Sequence, residues 1–502
     1  MSQNRQVIRK LRAFEAKKAL PKYSTIHTVL PDRPAFLAFV RMSGETRPWG
    51  IAFGTEESGP NFANVADGRD WVAIQGMIES FSMDFIQHFR VENFTFDPIT
   101  KENLSLDNPP QIWVPNASHI DMLHFLNYMF WKSRSEDEMD AHRTTLARLC
   151  GWLFRESKFA GQQLIIDSGA VLRANYVFPV DDMSVSNPGA ALGWLSEKDS
   201  IEVQVREARE YGQDAAGITL EPEVERKLDR LLKNKSDNEL EISLIINEEL
   251  ERRWSIAVAT YRALRKDSRE VNPGANLLLA DSLNRYVYSF QGPELKRQDE
   301  SLGPAFTPHP ETDNHGSAAA ASYYELQGAD SKLLPALVHH DEELLKDSLF
   351  SGFAIAGNVM KVTTVPSGIK SKEIYWVLRV EARDDFRIRE GESLAPMGSP
   401  GHSVKVTALE FVDETQIDLT LHWKNRKTMA LGGDALKVPG AEIWLSEKVY
   451  FVPLDSSEFD KQAKSKVWSA REGRGAWLTH GNSTISPDAA VLDDVKQIEG
   501  DK

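Results

Sequence analysis

The sequence predicts an α/β N-terminal domain on a mixed sheet, a helical middle, and a β-barrel-like C-terminal domain. Three observations predict it. Before residue 135, short apolar runs bounded by turn residues alternate with stretches of helical period, in the order strand, strand, helix, strand, helix. From 201 to 265 the chain is polar, with leucines at helical spacing. After 333 it changes to short alternating runs between Gly and Pro turns, the pattern of a small barrel. A chain of 502 residues suits three such parts. The predicted boundaries are 1–135 (α/β), 136–290 (helical connector), 291–332 (linker), 333–455 (barrel) and 456–502 (polar tail).

Val7, Ile8, Leu11 and Phe14 recur at helical spacing, and Pro21 ends that first, basic helix. Ala35 to Val40 is a compact apolar run that reads as a buried strand. The run from Trp49 to Gly54 pairs with it across a turn at Ser43 and Gly44. Asp70 caps a helix whose apolar positions Val72, Met77, Ile78, Phe81, Phe85 and Phe89 share a face. After Pro109 and Pro110, Gln111 to Val114 is a short strand, and a second helix starts near His119 and runs to Trp131. Residues 140–180 read as helix and then, over 171–180, as extended chain. Pro222 opens one helix, and a break at 234–238 separates it from another ending near Arg265. Glycines, prolines and alanines over 291–332 suggest a linker. In the barrel region Ile417, Leu419, Leu421 and Trp423 alternate without interruption, as a half-buried strand does.

Lys and Arg number 59 against 74 Asp and Glu, a formal charge of −15. Nucleic acid repels such a chain as a whole, so any contact must be a local patch or come through a partner. The single cysteine, Cys150, excludes an intrachain disulfide and any Cys/Cys zinc pair. Its apolar neighbours place it in the core. Few cysteines, no signal-peptide pattern at the start and no run of 18 apolar residues favour a cytoplasmic protein without a membrane span.

The chain lacks a phosphate-binding Gly-x-x-x-x-Gly-Lys-Ser/Thr loop, His-Glu-x-x-His and Gly-x-Ser-x-Gly. No cofactor is implied. His339, His340 and Asp341 form the densest metal-capable run, but adjacent side chains diverge, and Asp341 reads instead as a helix cap. Asn116 and Asp121 follow the strand at 112–114, where open α/β folds place chemistry. They are the only candidate catalytic residues. Two-metal cleavage needs converging carboxylates on ions about 4 Å apart, and the first strand contains no acid. Ser118 as helix cap and an exposed Asp121 are the plainer reading of that segment.

The order of these elements over residues 34–130 resembles the RNase H-like nuclease domain found beside Upf1-like helicases. The glycine-bearing strand from Trp49 to Gly54 and the step from Ile112-Trp113-Val114 into Asn116, His119 and Asp121 carry the resemblance. Members of that group carry an Asp-x-Glu pair on the first strand. Here Ala38 and Val40 stand near those positions, so the resemblance implies a degenerate, non-catalytic copy. The stretch from Leu344 to Gly352 ahead of a barrel similarly resembles the accessory region preceding such helicase motors. Because the motor is missing, it implies an ATP-driven partner on another chain.

In the barrel, Trp376, Arg379, Arg383, Lys405, Trp423 and Lys424 combine aromatic and basic groups as a single-strand groove would. Interleaved acids and the apolar pattern around Trp423 also fit core packing with solvated charge. The expected function is a non-catalytic accessory subunit of a prokaryotic nucleic-acid-processing or anti-phage defence complex. It would partner a helicase or nuclease and touch DNA through a local basic patch. The alternatives are an active metal-dependent nuclease around Asn116 and Asp121, and a purely structural interaction subunit.

Overall fold

A computed structural model describes residues 3–89, 109–130, 138–179, 187–195, 216–286, 316–366, 372–381, 387–398, 403–425 and 448–454. Mixed α/β architecture, a mixed five-stranded sheet and a closed six-stranded barrel are all present. None of the described helices is long and apolar enough to cross a membrane.

The sheet forms around β2 (Ala35–Val40), all six of whose residues are buried. A strand covered on both faces reads as a continuous apolar run, which is why this one lacks alternation. It pairs antiparallel with β3 (Gly50–Thr55) and parallel with β5 (Ile112–Val114). β4 (Asn61–Asn64) lies outside β3, and β6 (Ile165–Asp167) extends the parallel side, giving the order β4-β3-β2-β5-β6. Asn61 and Asn64 give β4 the polar edge that discourages further pairing.

Helices cover both faces. On one lie α2 (Trp71–His88), α3 (Ala117–Phe130) and α4 (Glu138–Glu156), packed on Leu37, Phe39, Ile51, Phe53, Ile112 and Val114. Asp70 caps α2 as expected, accepting the Ala73 amide at 3.1 Å. Ile74 is buried in that helix, whereas Val72 is exposed. Cys150 is buried in the same core, and burial raises its thiol pKa. On the other face lie α5 (Ser168–Asn175), α6 (Pro188–Trp194), α7 (Pro222–Leu232) and α8 (Lys235–Lys266), covering Phe36, Ala38, Val40, Ala52 and Trp113. Ile246 and Leu250 of α8 come so close to Gly50 that a Cβ there would sit 2.7 and 2.8 Å from them.

Three expectations change. The boundary at 135 is not a structural break: β6 and the long helix α8 complete the sheet, so the expected connector belongs to the α/β unit. Polarity misleads here because α8 is long and buries only one side. Residues 168–175 are helical, not extended, because Asp167 caps α5 by accepting the Ala170 amide at 3.1 Å. Only Tyr176 and Val177 form a strand there, β7, which pairs with β1 (Leu20–Pro21). The expected linker is helical from Gly316: α10 (Gly316–Val338) starts in the alanine run, and alanine is the best helix former. Residues 291–315 and the expected tail lie outside the described residues.

After α9 (Pro273–Tyr286) and α10, α11 (Glu342–Phe350) leads into the barrel. Its strands are β8 (Ile355–Pro366), β9 (Lys372–Glu381), β10 (Ser393–Pro396), β11 (Val404–Phe411), β12 (Gln416–Asn425) and β13 (Lys448–Pro453), closed in the order β10-β11-β12-β9-β8-β13. Ile417, Leu419 and Leu421 face its core. A separate cluster of Tyr23, Leu278, Leu337, Val338, Leu344, Leu345, Ala354 and Val452 joins the two bodies.

Gly54 lies near the end of β3, against which the turn at Gly59 folds back. A Cβ there would lie 2.0 Å from the Gly59 carbonyl oxygen, which is backbone and cannot swing aside. Gly54→Ala should therefore cost about 1–3 kcal/mol through local strain, read as a lower urea midpoint with an unchanged slope.

Candidate functional site at the parallel strand ends

β2, β5 and β6 run parallel, and their C-terminal ends form the position at which open α/β sheets bind ligands. β5 is shorter than β2, so β2 outruns it and leaves amides to be satisfied. Along one edge the Ala35 amide donates to Gln111 O at 2.9 Å, the Phe39 amide to His119 Nδ1 at 3.0 Å, and the Arg41 amide to Ile218 O at 2.8 Å. A turn of α3 and then the segment 216–220 thus replace the missing strand. Leu220 returns its amide to Arg41 O at 2.9 Å.

Asn116 is buried, and its Oδ1 accepts both the Ser118 amide at 3.1 Å and the Ser118 hydroxyl at 2.6 Å. Asn116, not Ser118, therefore supplies the acceptor at the start of α3. The Ser118 hydroxyl is used elsewhere, accepting the Ile218 amide at 3.1 Å. Asp121 is exposed on α3. Asn116 and Asp121 are not brought together as a pair.

The carboxylate that does stand beside Asn116 is Asp167. Burial raises its pKa, opposed by hydrogen bonds from the Ala170, Gly169 and Ala117 amides and by the charge of Arg173. It bridges the N-termini of α5 and α3, and helix dipoles favour an anion there. Sequence reading missed it because residues 165–167 give too short an apolar run to stand out as a strand. The Asp-Ser-Gly step that caps α5 was the available signal.

His119 was also missed as anything beyond a helix start. It is fully buried, with Nε2 donating to Ala216 O at 2.8 Å while Nδ1 accepts from Phe39. That pattern requires the neutral ring, and burial lowers its pKa to about 3. Its spacing with Met122, Leu123 and Leu126 put it on the buried face of α3. Arg253 of α8 holds the segment from behind. Its wholly buried guanidinium donates to Gly217 O at 2.7 Å, Thr219 O at 3.1 Å and the Glu249 carboxylate at 2.7 Å. A metal pair needs several convergent carboxylates. Among the described residues no group of three or more His, Cys, Asp or Glu side chains converges as a metal set.

The barrel divides the other expected constellation. Trp376 shares a register row with Leu421 and Val406, whose side chains are buried, and Trp423 lies two residues beyond Leu421 on that strand. Lys405, by contrast, pairs with His422, and His422 with Tyr375, on the alternate rows. Lys424 shares the parity of His422. The tryptophan positions and the lysine positions thus fall on alternate register rows of these strands. Arg379 is committed to Asp418 through two bonds of 2.7 and 2.9 Å. Arg383 lies outside the described residues. What the barrel does gather is Tyr375 stacked on His422, ring centroids 4.4 Å apart and planes within 7°, next in register to exposed Lys405.

Asp341 caps α11 as expected, accepting the Leu344 amide at 2.9 Å. Its other oxygen accepts the Thr25 amide and hydroxyl and meets His27 Nε2 at 3.3 Å. His339 is buried, and that burial, with His340 beside it, lowers its pKa to about 4.

No family model, no curated protein and no solved structure matches this chain.

Proposed function

We propose that this chain is a non-catalytic accessory subunit of a prokaryotic nucleic-acid-processing or anti-phage defence complex, working with an ATP-driven helicase or a nuclease on another chain. One observation carries the reading. The strand ends, where a nuclease of this layout would hold its ions, are filled by the chain's own backbone at 216–220, and Asp167 there is spent on two helix N-termini. Residues 34–130 are read as a degenerate RNase H-like domain. Supporting that reading are the antiparallel hairpin beside parallel strands, the helices after β4 and β5, and the state of Ala38 and Val40. Both are wholly buried where the resembling domains carry acids, within the core formed with α8.

The purified chain should show no Mg²⁺- or Mn²⁺-dependent cleavage of single- or double-stranded DNA or RNA. Cleavage abolished by Asp121→Ala or Asp167→Asn, with circular dichroism unchanged, would replace this reading with the nuclease alternative. Purification from its native cell should bring down a helicase or nuclease in stoichiometric amount.

In this reading the barrel supplies a local nucleic-acid contact, with Lys405 as its charge and Tyr375 and His422 as an aromatic surface. Lys405→Glu should weaken single-strand binding at low salt and reduce the slope of log K against log salt by about one. An unchanged affinity and slope would remove the barrel from the interface. Absence of any binding by chain or complex would leave the interaction subunit as the surviving reading.

A further inference from the structure

Helix α1 (Gln3–Ala16) is amphipathic in the reverse sense. Two of its arginines face the protein: Arg5 and Arg9 reach Asp347 at 3.0 and 2.7 Å, and both reach Glu343 at 3.3 Å. Ala13 is buried, and the Arg9 guanidinium lies 5.7 Å from the Tyr23 ring centroid. The apolar side faces out, with Val7, Ile8, Leu11 and Phe14 exposed by 54, 49, 56 and 64%. Helices bury such a stripe by default, and a contiguous exposed one marks an interaction surface. Exposed Lys10, Arg12, Lys17 and Lys18 lie around it.

We propose that this face receives the C-terminal segment 488–499 of the same chain. That segment lies outside the described residues. Its sequence places Val491, Leu492, Val495 and Ile498 at offsets of one, four and seven, the offsets of Val7, Ile8, Leu11 and Phe14. Asp488, Asp493, Asp494 and Glu499 against the single lysine Lys496 leave the segment acidic, opposite in sign to the basic flank of α1. Helical spacing on both sides gives two apolar stripes of equal length, and opposite charge sets their orientation. Like charge opposes pairing of α1 with another α1, and the net charge of −15 opposes an anionic bilayer.

Position favours the same chain over a second copy. β13 carries Val452 in the apolar cluster that contains Tyr23, the residue beneath Arg9 of α1. The chain therefore leaves the barrel close to α1. The roughly thirty residues between Leu454 and Asp488 would span about 30 Å as a flexible linker. A linker of that reach holds the segment at millimolar effective concentration.

The test uses the full-length chain carrying Leu11→Cys with Val495→Cys under mild oxidation. Buried Cys150, the one native cysteine, stays silent. An intramolecular disulfide should form at least tenfold faster than in the chain carrying Leu11→Cys with Ser483→Cys. Lys17→Glu with Lys18→Glu should slow it at least fivefold. Val491→Asp with Val495→Asp, which alters only the tail, should raise hydrogen exchange in α1. Equal rates for the two cysteine pairs, or unchanged exchange, would overturn the proposal. A disulfide found chiefly between two chains would assign the face to a second copy instead. Co-sedimentation with 70:30 phosphatidylcholine:phosphatidylglycerol vesicles, lost on Leu11→Glu, would assign it to a bilayer, and either result overturns the proposal.

Discussion

Arg253→Ala is expected to lower the unfolding free energy by about 3–5 kcal/mol, the range for breaking a buried ion pair by removing one partner. The guanidinium is wholly buried and makes four contacts: Glu249 through its carboxylate and its backbone carbonyl, Gly217 O and Thr219 O. Burial lowers its pKa, against the opposing charge of Glu249, so the pair resists an unfavourable setting rather than adding free stability. Its removal leaves the Glu249 carboxylate buried with less compensation and two carbonyls of the segment 216–220 without their donor. Arg253→Met combined with Glu249→Leu should recover much of the loss, because an apolar pair carries no desolvation penalty. Urea unfolding measures both variants. The alanine variant should also speed exchange of the Ile218 and Leu220 amides, which bond to Ser118 and Arg41. A loss under 1 kcal/mol would mean that the strand ends are held closed by something other than α8.

The parts of the fold that were legible in the sequence are those carried by local chemistry. The run from Ala35 to Val40, the cap at Asp70, the cap at Asp341 and the alternation at 417–421 each follow from interactions within a few residues. β6 is three residues long and defined by its neighbour β5, so no periodic signal could reveal it. α8 looked like part of a free helical domain because only its partner surface shows that Ile246 and Leu250 belong against the sheet. The same limit applied to the strand ends. Asn116 was visible because it follows a strong strand, whereas Asp167 and Arg253 come from two other segments, and the role of His119 rests on Phe39 and Ala216, distant in sequence. In the barrel, which of the aromatic and basic positions share a row depends on strand register across β9, β11 and β12, which local sequence does not carry.

The chain should lose stability as pH falls below about 6.5, and His119 should account for a measurable share of that loss. Burial lowers the folded-state pKa of His119 to about 3, of His88 to about 4 and of His339 to about 4. An unfolded histidine titrates near 6.5, so between these values the unfolded chain binds protons that the native chain refuses. Stability is therefore complete above 6.5 and falls with acidification, by up to about 4 kcal/mol per pH unit if all three contribute fully. Asp341, held well below the ordinary carboxylate range by His27 and Thr25 against its own desolvation, adds the same sign at lower pH. Glu156 and Asp167, raised by burial, oppose it over a narrower range. His119→Phe separates the contributions. It keeps a ring in the cavity but strands the Phe39 amide and the Ala216 carbonyl, so at pH 7 it should cost about 2–5 kcal/mol for two unsatisfied buried groups. It also removes one of the three protons from the unfolding balance, so the slope of stability between pH 4.5 and 6 should shrink by about a third. A variant that is weaker at pH 7 but keeps the full slope would show that His119 is protonated in the native chain. In that case Nδ1 could not accept the Phe39 amide, and a different group would have to complete the β2 edge.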